Sequence, residues 1–279
     1  MLPALVISSL ILAGRSSGHG AYHDVVEALS AELRQNPNDA ALRYKLAEAH
    51  AGHEEWRACL KEIKLVEYLA PGVYPTDFLR GLALHIADKQ EEAKKVLDGF
   101  LAGSPRHYDA LATRGRVLVK LGRPTEAAAD FQRAVELATV PQPDLISELA
   151  TCHAQAGKIK EACESIDAGL KVAGDVPSLL LCALEIETKA GAWDAALGRI
   201  AALQKSAPCE EPWMARRAEL LTQAGRADDA RAAWAALRDH LLSLPNLVRG
   251  TPQNASLLAE SRRALGEAAP AQVVAAPAS

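Results

Sequence analysis

The sequence predicts an all-α chain of paired antiparallel helices, and three recurrences carry that expectation. A small residue returns at Cys59, Ala93, Ala127, Ala162, Ala196 and Ala230, with spacings of 34, 34, 35, 34 and 34. Glycine returns at another phase, at Gly122, Gly157, Gly191 and Gly225, with Glu54 and Asp88 in the matching places of the first two copies. A second small position gives Ala47, Gly81, Gly115, Ala150 and Ala218, and only Leu184 departs from it.

The stretch from Tyr108 to Pro141 shows one copy whole: a helix, a tight turn at Gly122-Arg123-Pro124, and a second helix. Gly115 on the first helix and Ala127 and Ala134 on the second sit where the two must touch, and Leu111, Leu118, Phe131 and Leu137 fill between them. Pro71, Pro105 and Pro208 close copies in phase, while Pro141 and Pro245 fall a few residues late. Proline stops a helix because it lacks an N–H and its ring clashes with the preceding turn. One extra residue near Gln142 accounts for the spacing of 35. The copies are therefore 40–73, 74–107, 108–141, 143–176, 177–210 and 211–244.

This pattern resembles the tetratricopeptide repeat (TPR), a helix–turn–helix unit of 34 residues. The resemblance covers residues 40–244 closely and the flanks loosely. It implies a right-handed α-solenoid of about six TPR helix pairs with N-terminal and C-terminal capping helices. In such proteins the first helices line a concave side, where peptides lie as extended chains. By repeat phase that groove would present Tyr44, Glu48, Phe78, His85, Arg116, Lys120, Thr151 and Gln155. Further along it would present Glu185, Thr188, Lys189, Glu219, Thr222 and Gln223. Arg116 and Lys120, four residues apart, share a helix face and make a candidate anion-reading pair. The basic and Asn residues with which chaperone-binding TPR domains clamp a carboxylate do not recur at their phase.

The flanks read differently. Leu2–Ala13 is apolar but too short for a bilayer, which needs about 20 such residues. With small residues at Gly18 and Gly20 it fits a signal peptide over 1–20, although no Lys or Arg precedes it. Export to the periplasm or beyond is the expectation; a cytoplasmic chain that keeps an apolar N-terminal helix is the alternative. Arg15 occupies the place of a lipidated cysteine, which argues against lipidation. Val25, Val26, Leu29 and Leu33 give a capping helix within 21–39. Thr251-Pro252 opens a second capping helix within 245–267, with Leu257, Leu258, Ala264 and Leu265 as its apolar stripe. Residues 268–279 are of low complexity and read as a disordered tail.

Composition narrows the function. The net charge is −4 with both signs interspersed, so no basic stripe offers itself to nucleic acid. Trp56 and Trp193 open second helices and Trp234 takes the place of Phe131, which makes all three packing residues. His50 and His153 fall where the TPR usually places a tyrosine, against the paired helix. His50, His53, Glu54 and Glu55 match neither HExxH nor HxxEH. Five cysteines without a CxxC suggest neither a zinc site nor a disulfide framework, and a Cys163–Cys182 bridge stays open if the chain is exported.

GxSxG occurs only as Gly14-Arg15-Ser16-Ser17-Gly18 inside the expected signal segment, no GxxxxGK[ST] or GxGxxG occurs, and the paired carboxylates Glu54-Glu55, Glu91-Glu92 and Asp228-Asp229 sit at turns and second-helix starts. There the positive helix end favours them. The expectation is a non-enzymatic scaffold with no cofactor, no metal and no catalytic residue. Its partner is a protein or peptide in the groove, with no nucleic acid and no integral membrane span after signal cleavage. The alternative is a cytosolic or membrane-tethered TPR adaptor of a multiprotein complex. An enzyme built on a helical solenoid, as some peptidoglycan-cleaving enzymes are, would need a catalytic domain, for which there is no room, or an acidic residue in a pocket.

If Ala162 sits at a helix crossing, Ala162→Glu buries an unpaired charge and costs several kcal/mol. Thermal unfolding followed by circular dichroism should show a clear drop in melting temperature, and an unchanged melt contradicts the repeat register.

Overall fold

The computed structural model describes residues 18–140 and 142–267, and every regular element among them is an α-helix. The chain forms two compact units, one within residues 1–140 and the other within 141–279. Most of the expected signal segment and the whole expected tail lie outside the described residues, while Gly18–Gly20 already belong to a helix.

The first unit holds α1 (Gly18–Gln35), α2 (Ala40–Gly52), α3 (Trp56–Leu69), α4 (Thr76–Ile86), α5 (Gln90–Gly103), α6 (Tyr108–Lys120) and α7 (Pro124–Leu137). The second holds α8 (Pro143–Gln155), α9 (Ile159–Ala173), α10 (Pro177–Lys189), α11 (Trp193–Ser206), α12 (Glu211–Gln223), α13 (Ala227–Ser243), a short α14 (Asn246–Arg249) and α15 (Pro252–Leu265). Within each unit, helices pack as consecutive hairpins and each hairpin packs on the next, so each is a short all-α solenoid of helix pairs.

One backbone device makes all six hairpin turns. Gly122, Gly157, Gly191 and Gly225 take φ of 70°, 76°, 70° and 71°, and Glu54 and Asp88 take 64° and 60°. The next residue's N–H then reaches back to the carbonyl five positions earlier: Glu55 to His50, Lys89 to Leu84, Arg123 to Leu118, and likewise through the second unit, at 2.8–3.0 Å. This Schellman arrangement satisfies carbonyls that a helix end leaves open. Glycine enters the left-handed region freely, whereas an L side chain there costs roughly 1–2 kcal/mol. The first two hairpins carry that cost at Glu54 and Asp88.

The small residues lie where the paired helices cross. Ala47, Cys59, Ala93, Ala127, Ala150, Ala162, Ala196 and Ala218 are fully buried. A methyl group added at Gly115 would stand 2.6 Å from the Phe131 ring, and one at Gly81 would stand 2.6 Å from Leu97. Glycine is therefore matched to the bulk of its opposite number. In the second unit Leu184 packs with Ala196 and Ile200, and Trp234 packs with Ala218 and Leu237.

Between the hairpins run buried ion networks. Arg114 on α6 forks onto Asp130 of its own hairpin at 2.7 Å through both Nε and Nη2, and gives Nη1 to Asp98 of the preceding hairpin at 2.8 Å. Arg199 on α11 binds Glu187 of its own hairpin at 2.8 Å and Asp167 of the preceding one at 2.7 Å. Asp98 and Asp167 hold the same repeat position, while the Arg and its second acid have exchanged helices. Asp130 and Glu187 are almost entirely buried, at 4% and 2% exposure. Arg43–Glu62 at 2.8 Å ties α2 to α3, and Arg80 and Thr76 both hold Glu67.

Both ends of the described chain are covered. On α1, Leu33 is buried while Val25 faces solvent. Tyr22 stacks on His53 at 3.7 Å with its hydroxyl 3.0 Å from His50 Nδ1. Thr251 Oγ1 caps α15 by accepting from Asn254 N at 3.4 Å, and Leu257, Leu258 and Leu265 pack on the Trp234–Leu237–Leu241 cluster. Ala264, expected in that stripe, is exposed because the stripe turns away from it around the helix.

All five cysteines are free thiols. Burial pushes the Cys59 thiol up to about 12 and that of Cys152 up to about 11, and it raises Cys163 and Cys182 as well. Cys209 alone among them is exposed.

Two measurements check this packing. Arg114→Met strands Asp130 in the interior and should cost roughly 3 kcal/mol. Asp98→Asn alters a partly exposed partner and should cost under about 1 kcal/mol. Denaturant unfolding in which Asp98→Asn proved the more damaging would reverse the assigned roles. In the native chain one thiol, removed by Cys209→Ala, should react rapidly with an aromatic disulfide reagent, because the thiolate is the nucleophile and the buried thiols are held protonated. Rapid modification of Cys59 or Cys152 would refute their burial.

Candidate functional site

The face to examine is that of the first helices, where the expected groove residues fall. In the first unit α2, α4 and α6 lie side by side. Arg116 is half-buried on α6 and Lys120, one turn on, is exposed. The Arg116 charge acts on Asp109, whose carboxyl burial raises and whose neighbours His107 and Arg116 pull back down. The anion-reading pair therefore has an acidic residue within its field.

Glu48 is half-buried on α2. Burial lifts its carboxyl above the usual carboxylate range, opposed by a hydrogen bond from Tyr44 and by the charge of Lys45. The Tyr44 hydroxyl is itself held well above its ordinary value, first by burial and then by Glu48. The Tyr44 ring stacks with Tyr74 at 5.0 Å and an interplanar angle of 23°. His85 is turned to local work: its Nδ1 lies 2.8 Å from Gln90 Oε1, and Gln90 Nε2 donates to Asp88 Oδ1 at 2.9 Å, so the trio braces the left-handed turn at Asp88.

Phe78, expected in the groove, is buried. Its ring sits 4.8 Å from that of His107 and 6.0 Å from that of Phe100. The aromatic residue at this phase is packed against Phe100 of its own hairpin and His107 at the hairpin's end, and the open aromatic surface is supplied instead by Tyr44 with Tyr74.

In the second unit Thr151, Gln155, Glu185 and Lys189 are exposed and Glu219 is half-buried. Lys189 pairs with Glu185 at 2.6 Å, and Glu219 accepts from Arg216 at 2.8 Å. Exposed pairs of this kind contribute about 0.2–1 kcal/mol. They can exchange partners at little cost. Thr151, Thr188 and Thr222 donate to carbonyls of their own helices, those of Ser147, Leu184 and Ala218. Thr222 also accepts from Trp234 Nε1 at 3.3 Å.

His50, His107 and His153 are held toward the neutral form by burial, and Lys158 adds to this at His153. Among the described residues no three of His, Cys, Asp and Glu come together as metal ligands. No described helix is long and apolar enough to cross a membrane. The ion networks around Arg114 and Arg199 and the Tyr44–Tyr74 stack escaped the sequence reading. The recurrence of aspartate at 98 and 167 was the available sign of the first. Nothing local announces the second, since Tyr74 belongs to the next copy.

A family profile described as tetratricopeptide repeat matches residues 87–142 and 113–177. No curated protein matches the chain. Among solved structures, YrrB, described as a TPR protein with an unusual peptide-binding site, is 20% identical with a TM-score of 0.54, over 72% of this chain and 99% of YrrB. A tetratricopeptide repeat protein from Parabacteroides merdae is 15% identical with a TM-score of 0.52, over 91% of this chain and 96% of its own. PilF of Pseudomonas aeruginosa is 14% identical with a TM-score of 0.52, over 86% and 99%. At these identities the structures speak to the fold, and the profile match and the repeat positions speak to the sequence. Residues 87–177 thus match the tetratricopeptide repeat in sequence, and the described residues share the fold of TPR proteins.

Proposed function

We propose that this protein is a non-enzymatic scaffold that holds a protein or peptide partner on the face formed by its first helices. The observation that carries the reading is the character of that face in the first unit. Glu48 on α2 and Arg116 and Lys120 on α6 bring charge of both signs to one row of helices, and Glu48 lies beside a partly open pair of tyrosines. Charge of both signs next to aromatic surface suits side chains presented by an extended chain, where complementarity selects the partner and sets its register. YrrB, which shares the fold, carries a peptide-binding site. TPR proteins in general serve as scaffolds.

The periplasm or the cell exterior is the location this reading favours, on the strength of the apolar Leu2–Ala13 run and the small residues that follow it. The same run also supports the second reading, an adaptor in the cytoplasm tethered to a membrane complex. Sequencing the N-terminus of protein recovered from fractionated cells separates the two: a mature end near Ala21 means export, and an intact N-terminus means tethering.

The scaffold reading is tested by affinity capture from the native host, comparing the wild-type chain with Arg116→Glu/Lys120→Glu. A partner bound through this face should be lost or reduced at least tenfold, with the helical circular dichroism unchanged. An identical captured set removes Arg116 and Lys120 from the site.

A further inference from the structure

We infer that Tyr44, Glu48 and Tyr74 form a receptor for a single arginine side chain of the protein partner. The inference rests on the scaffold reading and specifies what one part of its face recognises. Its starting point is a contrast among carboxylates. Glu62, Asp130 and Glu187 are each buried and each paired with an arginine from within the chain: Arg43, Arg114 and Arg199 respectively. Glu48 is half-buried on α2, yet among the described residues it makes no ion pair. It has the Tyr44 hydroxyl, which donates to it, and the charge of Lys45 on the exposed side of α2. A desolvated carboxylate so lightly compensated gains from an incoming cation.

The aromatic pair says which cation. Tyr44 and Tyr74 lie 5.0 Å apart with their rings 23° from parallel, and both remain partly open to solvent. A cation is attracted to the face of a tyrosine ring, and a guanidinium can lie flat on it. The same planar group can donate two parallel hydrogen bonds to one carboxylate, a match that an ammonium cannot reproduce. Tyr44 serves both ends of this arrangement, since its ring builds the shelf and its hydroxyl fixes the Glu48 carboxylate at the edge. The receptor draws on successive hairpins, with Tyr44 and Glu48 on α2 and Tyr74 just before α4, and the guanidinium lies on the outer face of the stacked rings beside Glu48. It therefore exists only in the stacked unit.

The test uses the full chain labelled with ¹⁵N and two probes, acetyl-Gly-Gly-Arg-Gly-Gly-amide and the same peptide with citrulline, which keeps the shape and drops the charge. The arginine peptide should shift the amides of residues 44–48 and 74–78 and bind at least fivefold more tightly than the citrulline peptide. Glu48→Gln, nearly isosteric, should abolish that preference without lowering the melting temperature. Tyr74→Leu should weaken arginine binding at least threefold, and Tyr44→Phe should retain part of it. Equal binding of the two peptides, shifts confined to other residues, or full affinity in Glu48→Gln each overturns the receptor. A captured partner that binds Glu48→Gln as tightly as wild type also overturns it and leaves the scaffold reading standing. Selective binding of the arginine peptide by a chain that captures no partner supports the receptor and sinks the scaffold.

Discussion

Two helices can approach only as closely as the side chains at their crossing allow, and the rest of this structure depends on that limit. Fully buried alanines, a cysteine in the same role, and two glycines with no room for a methyl group set the spacing of the hairpins. Close spacing brings larger neighbours such as Phe131 and Leu97 into contact with the opposite backbone, where each buried apolar side chain contributes about 1.5–3 kcal/mol. It also leaves a face of the first helices that the hairpin does not consume. The candidate site is what remains after the pairing requirement has been met.

Charge is distributed on two different terms. In the interior, Arg114 and Arg199 each satisfy two acids, one within the hairpin and one in the hairpin before, so no buried carboxylate of these networks lacks a cation. On the first-helix face the charges are less enclosed. Lys189 and Glu185 sit largely in solvent, and Glu48 has a tyrosine where its buried counterparts have an arginine. Removing one member of a buried network leaves the other in a poor medium, whereas an exposed pair can change partners at small cost. The interior networks thus fix the stack, and the face is where a partner's charge can still make a difference.

The hairpin pattern was legible in the sequence because a turn and a crossing each demand a particular residue type. Gly157 and Gly191 announce left-handed turns, and Ala162 and Ala196 announce crossings. Glu54 and Asp88 adopt the same turn without the residue that advertises it, and only the 34-residue interval pointed to them. The site was less legible. Repeat phase placed Arg116, Lys120 and Glu48 on the first helices, but it put Phe78 in the groove when that ring is buried against Phe100 and His107. Phase gives the direction of a side chain from its own helix and says nothing about the rings that other elements bring over it. For the same reason the Tyr44–Tyr74 stack, made between copies, was out of reach.

The ion networks carry a further consequence for how such a chain can be rearranged. Asp98 belongs with the hairpin that contains Arg114, and Asp167 belongs with the one that contains Arg199. The interchangeable module is thus a couplet of hairpins, 74–137 or 143–206, rather than a single copy. A chimera or truncation cut between the members of a couplet separates Arg114 or Arg199 from one of its acids, while a cut at a couplet's edge keeps these two networks whole and parts only the more exposed pairs Arg80–Glu67 or Arg226–Asp194. Lengthening this protein by duplication is accordingly easier in steps of two.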